Sequence, residues 1–313
     1  MVADVGDALA TYTDDYEIRR ELPSRGPNGV YEVIVDGQTA VCKVARENNA
    51  HIGQRVFVAQ YVGEQTTVPT PALLAAEDDY ALFEWINGTP YRSNEVRDLR
   101  ERRLRNAGAM LARLHTEADF ASHGYLCAQD GQLDLDAKGT WSEMLETLVS
   151  RWCDDLAGTQ FEEAGQSVRK FVRTHQDALN NADGPDLIHG DYQPANVLFD
   201  GERVVGVLDW EFSLVGSGEF DLCRAEREFF DWYDAPEEDD ELRDALQEGY
   251  ESVRPLPSGF TARREVYRGI LKLDPMRFFN TWKDEVKEPA ATADSMVAFV
   301  RSSLANARDA LNE

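Results

Sequence analysis

The chain has 313 residues, of which 58 are acidic and 32 basic, giving a formal net charge of -26. That length suits one large domain or two lobes around a cleft. So negative a chain, with no basic run able to neutralise several phosphates, excludes nucleic acid and an anionic membrane surface as expected partners.

In chain order, Val30–Val35 and Thr39–Val44 alternate β-branched and polar residues about Asp36-Gly37, which predicts a hairpin. Ile52, Val56, Val58, Ala59 and Val62 recur at helical spacing and predict a helix over 50–62, ahead of Pro69 and Pro71. Two short strands are expected at 72–76 and 80–86. The period then lengthens: Val96, Leu99, Leu104, Ala107, Met110, Leu111 and Leu114 predict a long amphipathic helix over 94–115. Further helices are expected at 141–156, 163–180, 222–233, 241–253, 262–279 and 293–311. In this half strand character returns only at 196–199 and 203–208, around Asp200-Gly201. The expected fold class is α+β, with a small antiparallel-sheet lobe over 1–87 and a larger, mainly helical lobe over 88–313.

The chemistry concentrates in Leu187-Ile-His-Gly-Asp-Tyr-Gln-Pro-Ala-Asn-Val-Leu-Phe199 and in Asp209, which ends the strand after it. A hairpin there delivers Asn196 and Asp209 to one end of a ribbon. An amide oxygen and a carboxylate suit magnesium, which takes one or two protein oxygens beside water and substrate phosphates. Asp191 is the expected catalytic base. Phosphoryl transfer has a loose transition state, so the attacking hydroxyl needs orientation and a late proton acceptor, and an aspartate with an ordinary pKa of about 4 serves both. His189 is expected to be a buried hydrogen-bonding residue.

This His-Gly-Asp-x-x-x-x-Asn pattern, followed by an aspartate after a short hairpin, resembles the aminoglycoside phosphotransferase and choline kinase superfamily, relatives of protein kinases. The resemblance implies a two-lobed protein-kinase-like fold. It implies Asp191 as catalytic base, Asn196 and Asp209 as metal ligands, and Asp221 in Gly218-Glu-Phe-Asp-Leu222 as a buried brace of the loop. It further implies Lys43, in Ala40-Val-Cys-Lys-Val44, on the nucleotide phosphates, and residues 24–29, with Gly26, Asn28 and Gly29, as the loop over the nucleotide. Phe83-Glu84-Trp85-Ile86 becomes the hinge facing the adenine edge. The implied activity moves the γ-phosphate of ATP, or GTP, with Mg2+, to a hydroxyl of a small molecule. One departure stands out. The family's helix glutamate, which pairs with the strand lysine, has no counterpart in 50–62, where Gln54 and Arg55 stand; Glu47 and Glu64 flank that stretch. A nucleotide-binding regulatory module with little turnover therefore stays open as the alternative. A protein kinase is a weaker reading, since His-Gly-Asp replaces His-Arg-Asp.

Other features have plainer readings. His51, His115, His123 and His175 are expected on surfaces or helix faces, and Pro236-Glu-Glu-Asp-Asp240 as a solvated turn. Trp232, Tyr233 and Trp282 could form an aromatic cage for a cation, although helix-spaced aromatics are more often core. Walker A, dinucleotide-binding and hydrolase signatures do not occur. Cys42, Cys127, Cys153 and Cys223 have no metal-site spacing and are expected as free thiols in a reducing cytoplasm. Asp4 and Asp7 stand where a signal peptide carries positive charge, which together with the lack of a long apolar run predicts a soluble cytoplasmic protein. Only six of the basic residues are lysine. A dense carboxylate surface becomes tolerable where about 1 M salt shortens the Debye length to about 3 Å, so a halophilic protein, from a halophilic archaeon, is expected. Oligomeric state is open.

Overall fold

The computed structural model describes residues 4–24, 28–46, 52–129, 132–230 and 240–312. Helix α1 (Val5–Tyr12) starts where the Asp4 carboxylate accepts the Gly6 N–H at 2.8 Å. Strands β1 (Tyr16–Leu22), β2 (Asn28–Val35), β3 (Gln38–Ala45), β4 (Leu73–Glu77) and β5 (Tyr80–Glu84) form an antiparallel sheet in the order β1-β2-β3-β5-β4. The β2–β3 turn needs positive φ at both central residues; Asp36 (48°) and Gly37 (74°) supply it, and Val35 pairs with Gln38. On β3, Ala40, Cys42 and Val44 point into a core with Leu9, Val33 and Leu82. The period of two therefore turns Lys43 to the other face. Helix α2 (Ile52–Gln65) joins β3 to β4.

Strand β6 (Thr89–Pro90) and helix α3 (Arg97–Glu117) follow, then β7 (Gly124–Gln129), β8 (Gln132–Ala137), α4 (Trp141–Leu156), α5 (Glu162–Thr174) and α6 (Gln176–Leu179). The site segment comprises β9 (Asp186–Ile188), β10 (Val197–Asp200), β11 (Arg203–Val207), β12 (Leu214–Gly216) and α7 (Gly218–Phe230). Helices α8 (Asp240–Glu251), α9 (Phe260–Leu271), α10 (Leu273–Arg277), α11 (Phe279–Trp282) and α12 (Pro289–Asn312) complete the chain. Helix α4 has a reciprocal cap in which Thr140 and Glu143 each bond the other's backbone N–H. The main core joins Val58 and Val62 of α2 to Leu104 and Leu111 of α3, Val197 of β10 and Leu222 of α7, so one apolar interior crosses residue 87. Among the described residues no helix is long and apolar enough to cross a membrane.

Several expectations are corrected. The second half contains a four-stranded sheet, β8-β7-β12-β9, that the sequence reading lacked. Strands β9 and β12 have three residues each, too few to display a period, and only tertiary pairing makes them strands. The helix expected over 163–180 breaks at His175, whose φ of -116° and ψ of 32° leave the helical region. The one expected over 262–279 divides into α9, α10 and α11, with Pro275 inside α10. Helix α7 starts at Gly218 rather than Leu222. His115 lies on a face of α3, one of its two expected places, but that face is the buried one. Trp282 is also buried, packs against Phe279 and donates to the Pro275 carbonyl, which makes it core rather than cage. Trp232, Tyr233 and the acidic run 236–239 lie outside the described residues. Cys42, Cys153 and Cys223 are buried free thiols, and burial pushes Cys42 up to about 12.

Candidate active site

The loop between β9 and β10 carries the His-Gly-Asp segment, and its shape is set from below. Gly190 has φ 73°, and a Cβ there would lie 2.3 Å from the Phe212 carbonyl oxygen. Only glycine fits. Asp221, fully buried on the first turn of α7, accepts the His189 N–H at 2.7 Å and the Gly190 N–H at 3.0 Å. His115 Nε2 lies 3.2 Å from the same carboxylate, and its Nδ1 lies 2.9 Å from the Tyr250 hydroxyl. Burial by itself raises the Asp221 carboxyl, but the His115 hydrogen bond and charge, with the His189 contacts, outweigh it and hold the group below the usual range. His189 Nδ1 accepts the Asp191 N–H at 3.1 Å, so Nε2 carries the proton and donates to the Leu208 carbonyl at 2.9 Å. Burial keeps this imidazole neutral by lowering its pKa. His189 thus ties the loop to the end of β11.

Asp191 Oδ2 accepts from Gln193 Nε2 at 2.7 Å and from Asn196 Nδ2 at 2.9 Å. The ordinary pKa expected for Asp191 is corrected: burial pushes the carboxyl up to about 6, against the lowering effects of Arg224 and of the Gln193 hydrogen bond. It remains mostly ionised at neutral pH. Asn196 also donates to the Asp191 carbonyl at 2.9 Å, which commits the amide nitrogen and leaves the amide oxygen for a ligand. Val197 pairs with Val207, and the Leu208 N–H reaches the Asn196 carbonyl at 2.8 Å. Asn196 and Asp209 therefore leave the same end of the β10–β11 ribbon. Asp209 adopts φ 69° and ψ 65°, a left-handed conformation rare for a residue with a Cβ and enriched at functional sites.

Lys43 Nζ reaches across from β3 to Asp209 Oδ1 at 2.6 Å. The carboxylate facing this lysine is Asp209, not an acid of α2. Glu64 accepts from Gln60 at 2.9 Å on the exposed side of α2, and Glu47 lies outside the described residues. Of the expected nucleotide loop, Gly26 lies outside the described residues. Asn28 and Gly29 are corrected from loop to strand: they open β2 opposite Ala45 and Val44. Asn28 Nδ2 contacts Glu211 Oε2 at 3.4 Å, and its buried Oδ1 has no partner. At the hinge, the Glu84 N–H is committed to the Ala72 carbonyl at 2.9 Å, so the backbone group it can offer is its carbonyl. The chain leaves the sheet after Glu84, and Ile86 packs its side chain over Gly206 of β11.

Sequence reasoning missed His115 and Glu211. His115 is expected only as a surface or helix-face residue, although its place on the apolar stripe beside Leu111 and Leu114 is a signal for burial. The second sits two residues after Asp209, in Asp-Trp-Glu, where a second carboxylate at a chain turn was visible. Among the described residues no three His, Cys, Asp or Glu side chains are arranged to hold a metal by themselves. The donor set present, Asn196 Oδ1 and Asp209, is all oxygen and two in number, which fits a magnesium ion that draws its other ligands from phosphate and water.

A model of the phosphotransferase enzyme family matches residues 19–256. The chain belongs to that family. Within the phosphotransferase family and its fold, three similarities are informative. The homoserine kinase of Neisseria meningitidis serogroup B is 30% identical over 158 residues, which cover 48% of this chain and 44% of that protein. A provisionally assigned fructosamine-3-kinase from Thermobifida fusca superposes with a TM-score of 0.69 at 22% identity, covering 96% of this chain and 99% of the other. The aminoglycoside phosphotransferase APH(4)-Ia, solved as a ternary complex with AMP-PNP and hygromycin B, gives a TM-score of 0.68 at 16% identity, covering 95% and 98%. The chain spans less than half the length of the curated relatives it matches. The structural likenesses establish the α+β, protein-kinase-like architecture, an antiparallel sheet before a mostly helical part.

Proposed function

We propose that this phosphotransferase-family chain is an ATP- and magnesium-dependent kinase of a small-molecule hydroxyl. The reading rests on the meeting of Lys43 with Asp209 at the ribbon end that also carries Asn196, joined through Asn196 to Asp191. In this reading residues 1–87 hold the nucleotide and 88–313 the acceptor. Lys43 sets the phosphates by charge, and the Glu84 carbonyl faces the adenine. Asn196 Oδ1 and Asp209 would hold a magnesium ion, which would supply charge neutralisation to the transferring phosphate. Asp191 orients the acceptor hydroxyl through Oδ1, which takes no hydrogen bond from the described residues. As the acceptor oxygen bonds to the γ-phosphorus, the bond to the β–γ bridging oxygen breaks, ADP departs and the acceptor proton passes to Asp191. His189 and Asp221 hold the loop and do not react.

The sequence relative's name points to amino-acid alcohols and the structural neighbours' names to sugars and aminoglycosides, so family membership leaves the acceptor open. Magnesium-dependent transfer from ATP to any member of an acceptor panel, abolished in Asp191→Ala with ATP binding retained, supports the kinase; no transfer across a broad panel in molar salt refutes it. The Lys43–Asp209 contact, with no described α2 carboxylate beside the lysine, favours one second reading, a nucleotide-binding regulatory module. That reading predicts a thermal shift with ATP and magnesium but no product. Composition further supports a salt-adapted protein of the cytoplasm.

A further inference from the structure

Helix α7 carries Asp221 against the catalytic loop, and Arg224 follows one turn later on the same side, about 4.5 Å further along the axis. Neighbouring arginines are already engaged. Arg227 reaches the Leu271 carbonyl at 2.9 Å, Asp274 at 3.1 Å and also Glu228. Arg263 holds Glu219, and Arg264 holds Glu226 at 2.9 Å. Arg224 differs. It forms no hydrogen bond or ion pair with the described residues, and its Nε is buried with no partner. Orphaned Nε atoms also occur at Arg169, Arg227 and Arg268; the last two guanidiniums are anchored through Nη, and Arg169 lies on α5, where its charge acts on Cys153 rather than on the loop aspartate.

In a chain with 58 acidic residues against 32 basic ones, an arginine without a carboxylate is not explained by scarcity of acids. Leaving a buried donor unmade costs about 1–3 kcal/mol, so such a group calls for an explanation, and a bound group that completes it is one. The position supplies one. Arg224 is close enough to Asp191 for its charge to act on that carboxyl, and Glu228, Asp209 and Arg224 together define the field around it.

We propose that Arg224 binds the carboxylate of the acceptor, so that the substrate is a small hydroxy acid or hydroxy amino acid whose alcohol faces Asp191. This rests on the kinase reading and narrows it. A guanidinium matches a carboxylate through two parallel N–H donors, and one such fork balances one negative charge. A phosphate dianion asks for more positive charge than this side of the cleft holds beside Asp191, Asp209 and Glu228. A cationic aminoglycoside or choline would meet an unpaired arginine next to the reacting oxygen.

The test uses the full chain with ATP and magnesium in molar potassium chloride. Acceptors are hydroxy acids and hydroxy amino acids of three to five carbons, each paired with its methyl ester, plus choline and an aminoglycoside. Transfer to at least one acid is expected, with kcat/KM falling about 100-fold or more in its ester, as loss of a charge-assisted pair implies. R224Q should raise the acceptor KM about 100-fold while kcat changes far less, and R224K, which keeps the charge but not the fork, should fall between. Esters, choline or an aminoglycoside accepted as well as any acid, or an acceptor KM unmoved in R224Q, would overturn the assignment. A calorimetric titration of the same acids and esters onto the protein with ADP and magnesium is independent of turnover and of any variant's folding. Acids that bind no better than their esters overturn the carboxylate site even where ATP binding and slow Asp191-dependent hydrolysis persist; loss of both of those removes the kinase reading itself.

Discussion

Lys43 Nζ and Asp209 Oδ1 stand 2.6 Å apart although 166 residues separate them in the chain. The contact joins the five-stranded sheet to the end of the β10–β11 ribbon. Its value for stability is small, because side-chain exposures of 23% and 32% let solvent screen the pair. In the proposed kinase reading its value for phosphate placement is large, since a positioned charge at a transferring phosphoryl group is commonly worth about 10²–10³ in rate.

Lys43→Met is therefore expected to shift the urea midpoint by less than about 1 kcal/mol of stability. The same variant should reduce ATP-dependent turnover by at least about 100-fold. Glu64→Gln should change neither, because Glu64 faces Gln60 rather than the lysine. Chemical denaturation and a coupled ADP assay on the three proteins check this.

Asp191 yields a stability prediction of unusual sign. Its folded pKa of about 6 lies above the unfolded value of 3.8, so the folded state binds the proton more tightly. Stability from this group is present below the unfolded pKa and is lost as pH rises from about 4 through 6. Asp191→Asn should then stabilise the metal-free protein at pH 7.5, by about 2 kcal/mol after discounting for partial exposure, and the gain should vanish near pH 4. Thermal unfolding in EDTA at both pH values reads it out, while turnover in the same variant is expected to be lost.

Asp221 behaves in the opposite sense. Its carboxyl is held below 3.8 in the fold, so its contribution is complete above the unfolded pKa and fades as pH falls through the folded one. Asp221→Ala strands the buried His189 and Gly190 N–H groups and should cost about 3–5 kcal/mol. Tyr250→Phe removes only the hydroxyl 2.9 Å from His115 and should cost about 1 kcal/mol. Urea unfolding at neutral pH distinguishes the two.

Salt dependence tests the composition. With a net charge of -26, self-repulsion should ease as the Debye length contracts from about 10 Å at 0.1 M to about 3 Å at 1 M. The unfolding midpoint is expected to rise between low and molar potassium chloride; a flat or falling midpoint would speak against salt adaptation.

The hairpin at Asp36-Gly37, helices α3 and α4, and the ribbon from Asn196 to Asp209 were legible because local rules decide them: a turn dipeptide, a helical stripe, and a motif whose spacing is bridged by one hairpin. The loop brace was legible only in part. Asp221 could be placed by its motif, whereas the His115 and Tyr250 that support it come from α3 and α8, and no local period announces a contact 135 residues apart. The three-residue strands β9 and β12 were hidden for the same reason.

Sequence alone settled the reaction class to look for and the loop that would carry it, since His189 to Asp209 is one continuous segment whose geometry a single ribbon imposes. It also settled the acidic surface. Tertiary structure decided which carboxylate faces Lys43, that His115 is buried with His189, that burial pushes the Asp191 carboxyl up to about 6, and that Arg224 is left without a partner among the described residues. Those are properties of distance and dielectric, which arise only when elements far apart in the chain exclude water from one another.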